Sequence, residues 1–190
     1  LLPGQSENAF TALAEIRPRV SQERYIEASN QLRVALENNG QDLLLKYLAG
    51  DENPPTRNDF DAGARYMAAA RELTKESLLL EAREDFFRGR TLLFDKKFSD
   101  ATSLLESAVR LDPDTAYGYN ALGIAYLEQA RFNEAIPAFR DAIRRAPHWS
   151  YPLHNEALTF VEMGDTKSAI RAYQEAIKLT PEFSYLPYNL

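Results

Sequence analysis

Three prolines recur at one fixed interval, and this interval restricts the fold more than any other feature of the sequence. Pro113, Pro147 and Pro181 are each 34 residues apart. A helix tends to end before a proline, because the preceding residue is steered out of helical geometry. Self-similarity at this period is typical of an array of helical repeats, in which each unit buries its apolar face against its neighbours.

Small and large apolar residues keep the same period. Three rows have the spacing of one helical face: Ala101, Ala135 and Ala169; Leu105, Phe139 and Tyr173; and Ala108, Ala142 and Ala176. Gly89, Gly123 and Ala157 form a fourth row, where a small side chain lets two helices approach closely. Each unit is therefore predicted to be a helix, a turn, a second helix and a stop.

Local signals place the ends of these helices. Thr115 and Ser150 stand where an N-cap is expected, since both residue types accept hydrogen bonds from the first amides of a helix. Pro137 and Pro152 are predicted to lie near the first turn of their helices, where a missing amide donor costs little.

The middle unit carries the most specific pattern. It consists of Tyr119, Leu122, Gly123, Tyr126, Ala135, Phe139 and Pro147. With this pattern, residues 82–181 resemble the tetratricopeptide repeat family. The resemblance implies an all-α solenoid of stacked antiparallel helical hairpins, forming a right-handed superhelix with a helical N-terminal cap. Its three repeats would span residues 82–115, 116–149 and 150–183.

The first and third repeats depart from the family pattern. Asp85 stands at an aromatic position and Glu156 at a leucine position. We expect the Glu156 carboxylate to be partnered by a nearby arginine or lysine, or to point outward.

The flanking segments are predicted from weaker signals. Residues 1–58 form a capping region, with helices over 6–16 and 19–38, Gly40 as a C-cap, a short helix over 41–49 and then a loop at Pro54 and Pro55. Residues 59–81 form a degenerate half-repeat, in which residues 78–81 lengthen the next helix by about one turn at ~3.6 residues per turn. Residues 184–190 restate the opening of a fourth repeat, which predicts further repeats in a longer parent protein.

The family resemblance also implies a binding surface. In this family the first helices of successive repeats line a concave groove that holds an extended peptide or a helix. The matching positions are Arg83, Phe86, Arg90, Tyr117, Asn120, Ile124, Leu127, Tyr151, His154, Asn155, Leu158, Tyr185 and Tyr188. Aromatic residues and arginine often dominate interface energetics.

A structural alternative accompanies this prediction. Aromatic residues at helical spacing are more often core than binding surface, so Phe86, Phe87, Ile124 and Leu158 are expected to be partly covered by neighbouring repeats or by the N-terminal cap. Tyr117, Tyr151 and His154 are the better candidates for exposure. Of the positions that match the family's carboxylate clamp, only Arg90 is positively charged. An apolar or aromatic peptide, or a helix, therefore suits this groove better than a polyacidic tail.

Composition excludes several other classes of function. A net charge of −6 and a pI near 5.1 argue against a nucleic-acid or anionic-lipid partner. The longest aliphatic runs, 43–45 and 78–80, fall far short of the ~20 residues that a membrane-spanning helix needs. The sequence has no cysteine, which excludes disulfides and thiolate sites but leaves the compartment undetermined.

Catalysis has little support in the sequence. His148 and His154 are six residues apart, which is not the i, i+4 spacing of a helical zinc site. We therefore predict no catalytic residue, metal or cofactor. The predicted function is a scaffold that binds a protein or peptide in the groove. The alternative is a structural module that self-associates through its open ends, the C-terminal end in particular.

Overall fold

The computed structural model describes residues 5–49, 54–74 and 76–179, and confirms the all-α class. Over these residues the chain forms nine α-helices and one 3-10 turn, with no strand. They are α1 Gln5–Ile16, the 3-10 turn Arg17–Arg19, α2 Gln22–Ala49, α3 Arg57–Glu72, α4 Leu78–Phe94, α5 Phe98–Leu111, α6 Ala116–Leu127, α7 Phe132–Arg145, α8 Ser150–Glu162 and α9 Thr166–Leu179.

The chain divides into two compact units, Leu1–Thr91 and Leu92–Leu190. In the second unit, α6 pairs with α7 and α8 pairs with α9. Short turns join the helices of each pair, so each pair is an antiparallel hairpin. α7 packs on α8 and α5 packs on α6, which confirms the predicted stacking of hairpins. The predicted fourth repeat at 184–190 lies outside the described residues.

The 34-residue rows form the core of the second unit. A Cβ added to Gly123 would lie 2.5 Å from the Phe139 ring, so the missing side chain lets α6 and α7 approach closely. The last hairpin repeats this arrangement, with Ala157 on α8 buried in one cluster with Tyr173 and Ala176 on α9. Small residues on one helix thus face large residues on the other.

Two of the local predictions were right and two were wrong. The Thr115 side chain caps α6 by accepting from the Gly118 amide, and Pro152 is the third residue of α8. Ser150, however, is already the first residue of α8, and Trp149 precedes it at the cap position, from which its side chain does not cap the helix. Pro137 is the sixth residue of α7, where it removes an amide donor that would reach Asn133.

One helix of the first unit, α2, is longer than the sequence predicted. α2 runs unbroken over Gln22–Ala49, so Gly40 is not a C-cap and no separate helix begins at residue 41. Gly40 is buried instead, with the end of the Met67 side chain on α3 against it. The close approach of α2 and α3 at this point explains the glycine.

In the first unit, α2 and α3 pack on each other and on α4. α2 pairs with α3, and α3 begins at a capping box formed by Thr56 and Asp59. Both helices contact α4, since Tyr47 of α2 and Phe60 of α3 lie against Phe86. α4 begins at Leu78, which confirms the predicted extra turn.

Candidate functional site

The predicted groove residues of the second unit lie on two helices that touch. α6 contacts α8 directly, and the Asn155 side-chain amide donates to the Asn120 amide oxygen at 2.9 Å. Asn120 is the fifth residue of α6 and Asn155 is the sixth residue of α8. This bond therefore fixes the seam along which the two helices meet.

Two stripes of side chains flank the seam. Helical spacing places Tyr117, Ile124 and Leu127 on the same side of α6 as Asn120. The same spacing places Tyr151 and Leu158 on the side of α8 that carries Asn155. All five of these side chains are half-buried, which leaves part of each accessible. We call this surface the α6–α8 face; it comprises Tyr117, Asn120, Ile124, Leu127, Tyr151, His154, Asn155 and Leu158.

The two asparagines are unequally exposed. Asn120 is 1% exposed, so its amide contributes to the seam rather than to an open surface, and its prediction as a groove residue is corrected to that extent. A buried amide needs hydrogen-bond partners, which explains the bond from Asn155. Asn155 is half-buried, and its own amide oxygen is not used in that bond. This oxygen is an acceptor held at a fixed place on the face.

Aromatic neighbours position Tyr151 and His154. The Tyr151 ring stacks on Trp149, with ring centroids 6.3 Å apart. The His154 ring lies 5.5 Å from the ring of Tyr173 on α9. Burial lowers the pKa of His154 below its ordinary value, so its imidazole is neutral at neutral pH. The face therefore presents aromatic, aliphatic and neutral polar groups.

Glu156 does not belong to this face. Glu156 is 7% exposed, and its carboxylate accepts a hydrogen bond from Arg140 of α7 at 2.7 Å. The predicted arginine partner is confirmed. The pair ties α8 to α7, because a buried carboxylate requires a partner.

The predicted groove residues of the first unit have a different environment. Phe86 is 0% exposed, so it is not groove surface, and the alternative prediction that it is covered is confirmed. Tyr47, Phe60 and Phe87 lie against its ring. The covering ring of Tyr47 comes from α2, a helix that the sequence did not predict in full.

The two predicted arginines lie beside this aromatic cluster. The Arg90 guanidinium lies over the rings of Tyr47 and Phe60, at 5.0 and 4.8 Å from their centroids. Arg83 is half-buried, and its Nε is buried. Tyr185 and Tyr188 lie outside the described residues. The structure therefore brings together the predicted residues of α6 and α8.

The described part of the chain contains neither a metal-binding cluster nor a membrane-spanning helix. Over residues 5–49, 54–74 and 76–179, no group of three or more histidine, aspartate or glutamate side chains is placed to hold a metal ion. No helix within those residues combines the length and the apolar character needed to cross a membrane.

Comparison with known proteins identifies the repeats. Two family models, each described as tetratricopeptide repeat, match residues 86–148 and 152–183. No curated protein sequence matches the chain.

Solved structures match the fold at low sequence identity. YrrB, a TPR protein with an unusual peptide-binding site, is 16% identical, with a TM-score of 0.59 over 98% of this chain and 86% of that one. PilF of Pseudomonas aeruginosa is 18% identical, with a TM-score of 0.64 over 85% and 67% of the two chains. MamA from Desulfovibrio magneticus is 18% identical, with a TM-score of 0.55 over 94% and 97%. Identities of this size show a shared fold.

Proposed function

Because the chain belongs to the tetratricopeptide repeat family, whose fold serves as a scaffold for protein–protein interactions, we propose that the α6–α8 face binds an apolar or aromatic segment of a partner protein. The segment is an extended peptide or a helix. We assign the three repeats to residues 82–115, 116–149 and 150–183. The capping segment 1–58 and the half-repeat 59–81 precede them. Members of the family are typically non-enzymatic scaffolds, and the proposal assigns no catalytic step.

The Asn120–Asn155 bond is the observation that carries the proposal. This bond joins the middle of the α6 stripe to the middle of the α8 stripe. Each stripe carries a half-buried tyrosine and one or more aliphatic side chains. Surfaces that are already ordered lose less entropy on binding, so this fixed seam favours recognition. Tyrosine adds a large contact area and a polar hydroxyl at low entropic cost.

The chemistry of the face favours an uncharged ligand. Its eight residues include no lysine, arginine, aspartate or glutamate, and His154 is neutral at neutral pH. The Asn155 oxygen suits a backbone N–H of the bound segment. The fold match to YrrB, itself a TPR protein with a peptide-binding site, is consistent with this class of ligand.

A displayed library of random peptides tests the proposal. The intact chain is the bait, beside a variant carrying Tyr117→Ala, Tyr151→Ala and His154→Ala. A control variant carries Lys167→Ala, Gln174→Ala and Glu175→Ala at three exposed positions on α9. Far-UV circular dichroism first establishes that all three proteins are equally helical.

We expect apolar or aromatic peptides to be enriched on the intact chain and on the control, and to be lost from the face variant. Equal recovery of the same peptides by the face variant would reject the α6–α8 face as the site.

Self-association is the second candidate function. Val161, Met163 and Ile170 are 48%, 45% and 39% exposed, and all three belong to the last described hairpin. Exposed apolar side chains favour contact with another apolar surface. Sedimentation equilibrium across a hundredfold range of concentration tests this candidate: a rising mass supports it, and a constant monomer mass rejects it.

A further inference from the structure

The first half of α2 differs from its second half. The buried residues of α2 are Leu36, Gly40 and Leu44, all in its second half, where Gly40 lies against Met67 of α3. In the first half, Ile26 and Val34 are 49% and 45% exposed. A helix whose apolar side chains face outward has a surface suited to a further partner.

These side chains lie in a row that winds gradually around α2. Ile26, Asn30, Val34 and Asn38 recur every four residues, and together they line one open depression along α2. We call these four residues the α2 row. It is about 18 Å long at ~1.5 Å per residue, which is more than three helical turns. A row of i, i+4 side chains is a ridge of the kind that fits a groove on a facing helix.

Charge specifies the partner further. Glu23 and Glu27 line the same depression at its N-terminal end, and both are exposed. Glu27 accepts a long hydrogen bond of 3.5 Å from Gln31. Arg33 is engaged beside the row by Glu37. Among the described residues that line the depression, the charged groups are these two carboxylates, so the rim is acidic.

We propose that the α2 row docks an amphipathic helix of a partner protein, in which an apolar stripe is flanked by lysine or arginine. The stripe covers Ile26 and Val34, and the flanking cations pair with Glu23 and Glu27. Complementary charge at the rim fixes the position of the helix and favours this partner over an acidic one. The inference does not rest on the α6–α8 face, which lies in the other unit.

Two designed helical peptides of equal length test this inference on the full chain. Both carry the same leucine stripe, flanked by lysine in one and by glutamate in the other. Fluorescence anisotropy measures their binding. The lysine peptide is expected to bind, and the glutamate peptide to bind about tenfold more weakly, as expected for two rim charges.

Variants locate the contact. Glu23→Lys with Glu27→Lys is expected to reverse the preference between the two peptides. Ile26→Gln with Val34→Gln is expected to abolish binding of both. Leu78→Gln, at a 62% exposed position of the same unit, serves as the matched control and leaves binding unchanged. All five positions are exposed, and circular dichroism verifies that each variant keeps its helix content.

Several results would overturn the inference. Equal binding of the two peptides by the intact chain would remove the role of charge. Binding that survives the Ile26 and Val34 substitutions would place the contact elsewhere. A sedimenting dimer of the intact chain that becomes a monomer on the same substitutions would show that a second copy covers the row instead.

Discussion

At the scale of single residues, glycines fix how closely the paired helices approach. The Phe139 ring is 0% exposed and lies 2.5–2.8 Å from where a Cβ on Gly123 would be. Gly123→Ala is therefore expected to lower the free energy of unfolding by about 1–3 kcal/mol, although alanine is the better helix former. Urea denaturation measures the change.

Gly40→Ala is the matched comparison for that substitution. Its new Cβ meets the end of the Met67 side chain, which is flexible and can move aside. The gain in helix propensity is about 1 kcal/mol, so the expected loss of stability is smaller than at Gly123. A loss at Gly40 equal to that at Gly123 would contradict this account of helix approach.

The buried carboxylate of Glu156 gives a second prediction at this scale. Removing its partner by Arg140→Ala leaves the carboxylate buried without that bond, and is expected to cost about 1–2 kcal/mol of stability. Arg140 itself is 62% exposed in its side chain, so the intact pair adds little net stability.

Repeating Arg140→Ala in a chain that lacks the Glu156 carboxylate separates the cost of an unpaired carboxylate from any other effect of removing Arg140. Glu156→Leu removes the charge, so Arg140→Ala in that background is expected to cost less than about 0.5 kcal/mol. Chemical denaturation of the four proteins in this cycle measures the coupling. Equal costs in both backgrounds would mean that Arg140 acts without Glu156.

His154 makes stability depend on pH. Burial lowers its pKa in the folded chain below the value of about 6.5 that it has when unfolded. The unfolded chain then takes up the proton at a higher pH, so the free energy of unfolding falls below pH ~6.5 until the lowered pKa is reached. NMR titration of the imidazole gives the pKa, and His154→Gln identifies its signal. A midpoint at or above 6.5 would contradict the burial of this ring.

At the scale of elements, one backbone conformation closes three turns. Lys96, Ala130 and Gly164 follow the same 34-residue period, and all have positive φ, of 57°, 55° and 75°. In each turn the next amide bonds back five residues, as Arg131 does to Tyr126 at 2.9 Å. The period therefore extends to backbone geometry, which the residue types at these positions did not reveal.

The left-handed conformation strains alanine but not glycine. Ala130→Gly is expected to raise the free energy of unfolding by about 0.5–1 kcal/mol, and Gly164→Ala to lower it by about 1 kcal/mol. Gly164 has open space around it, so its change reports backbone strain alone. Thermal unfolding of both variants checks the prediction, and shifts in the same direction would refute it.

The first unit shows why part of the fold could not be predicted from the sequence. Gly40 faces Met67 as Gly123 faces Phe139, but the two pairs are separated by 27 and 16 residues. The 11 additional residues between Gly40 and Met67 break the 34-residue period, so the repeat pattern did not reveal that α2 continues through Gly40. Phe86 was assigned to a groove for the same reason, because its burial depends on Tyr47 of that helix.

At the scale of the whole molecule, the 34-residue period predicted the all-α class and the stacked hairpins. It also predicted the places of α6 and α8 in the repeats. The groove positions of the tetratricopeptide repeat family then supplied the side chains of the α6–α8 face. The Asn120–Asn155 bond did not follow, since it depends on the distance between two helices and on which asparagine is buried. Periodicity predicts which residues share a face, whereas exposure depends on how closely neighbouring helices pack.

Photo-crosslinking tests the central claim, binding at the α6–α8 face, most directly. A photoreactive phenylalanine replaces Tyr151 in one protein and Gln174 of α9 in another, and each is irradiated with a peptide enriched by the intact chain. We predict a crosslink from position 151 and little or none from position 174. Efficient crosslinking at 174 with none at 151 would contradict it.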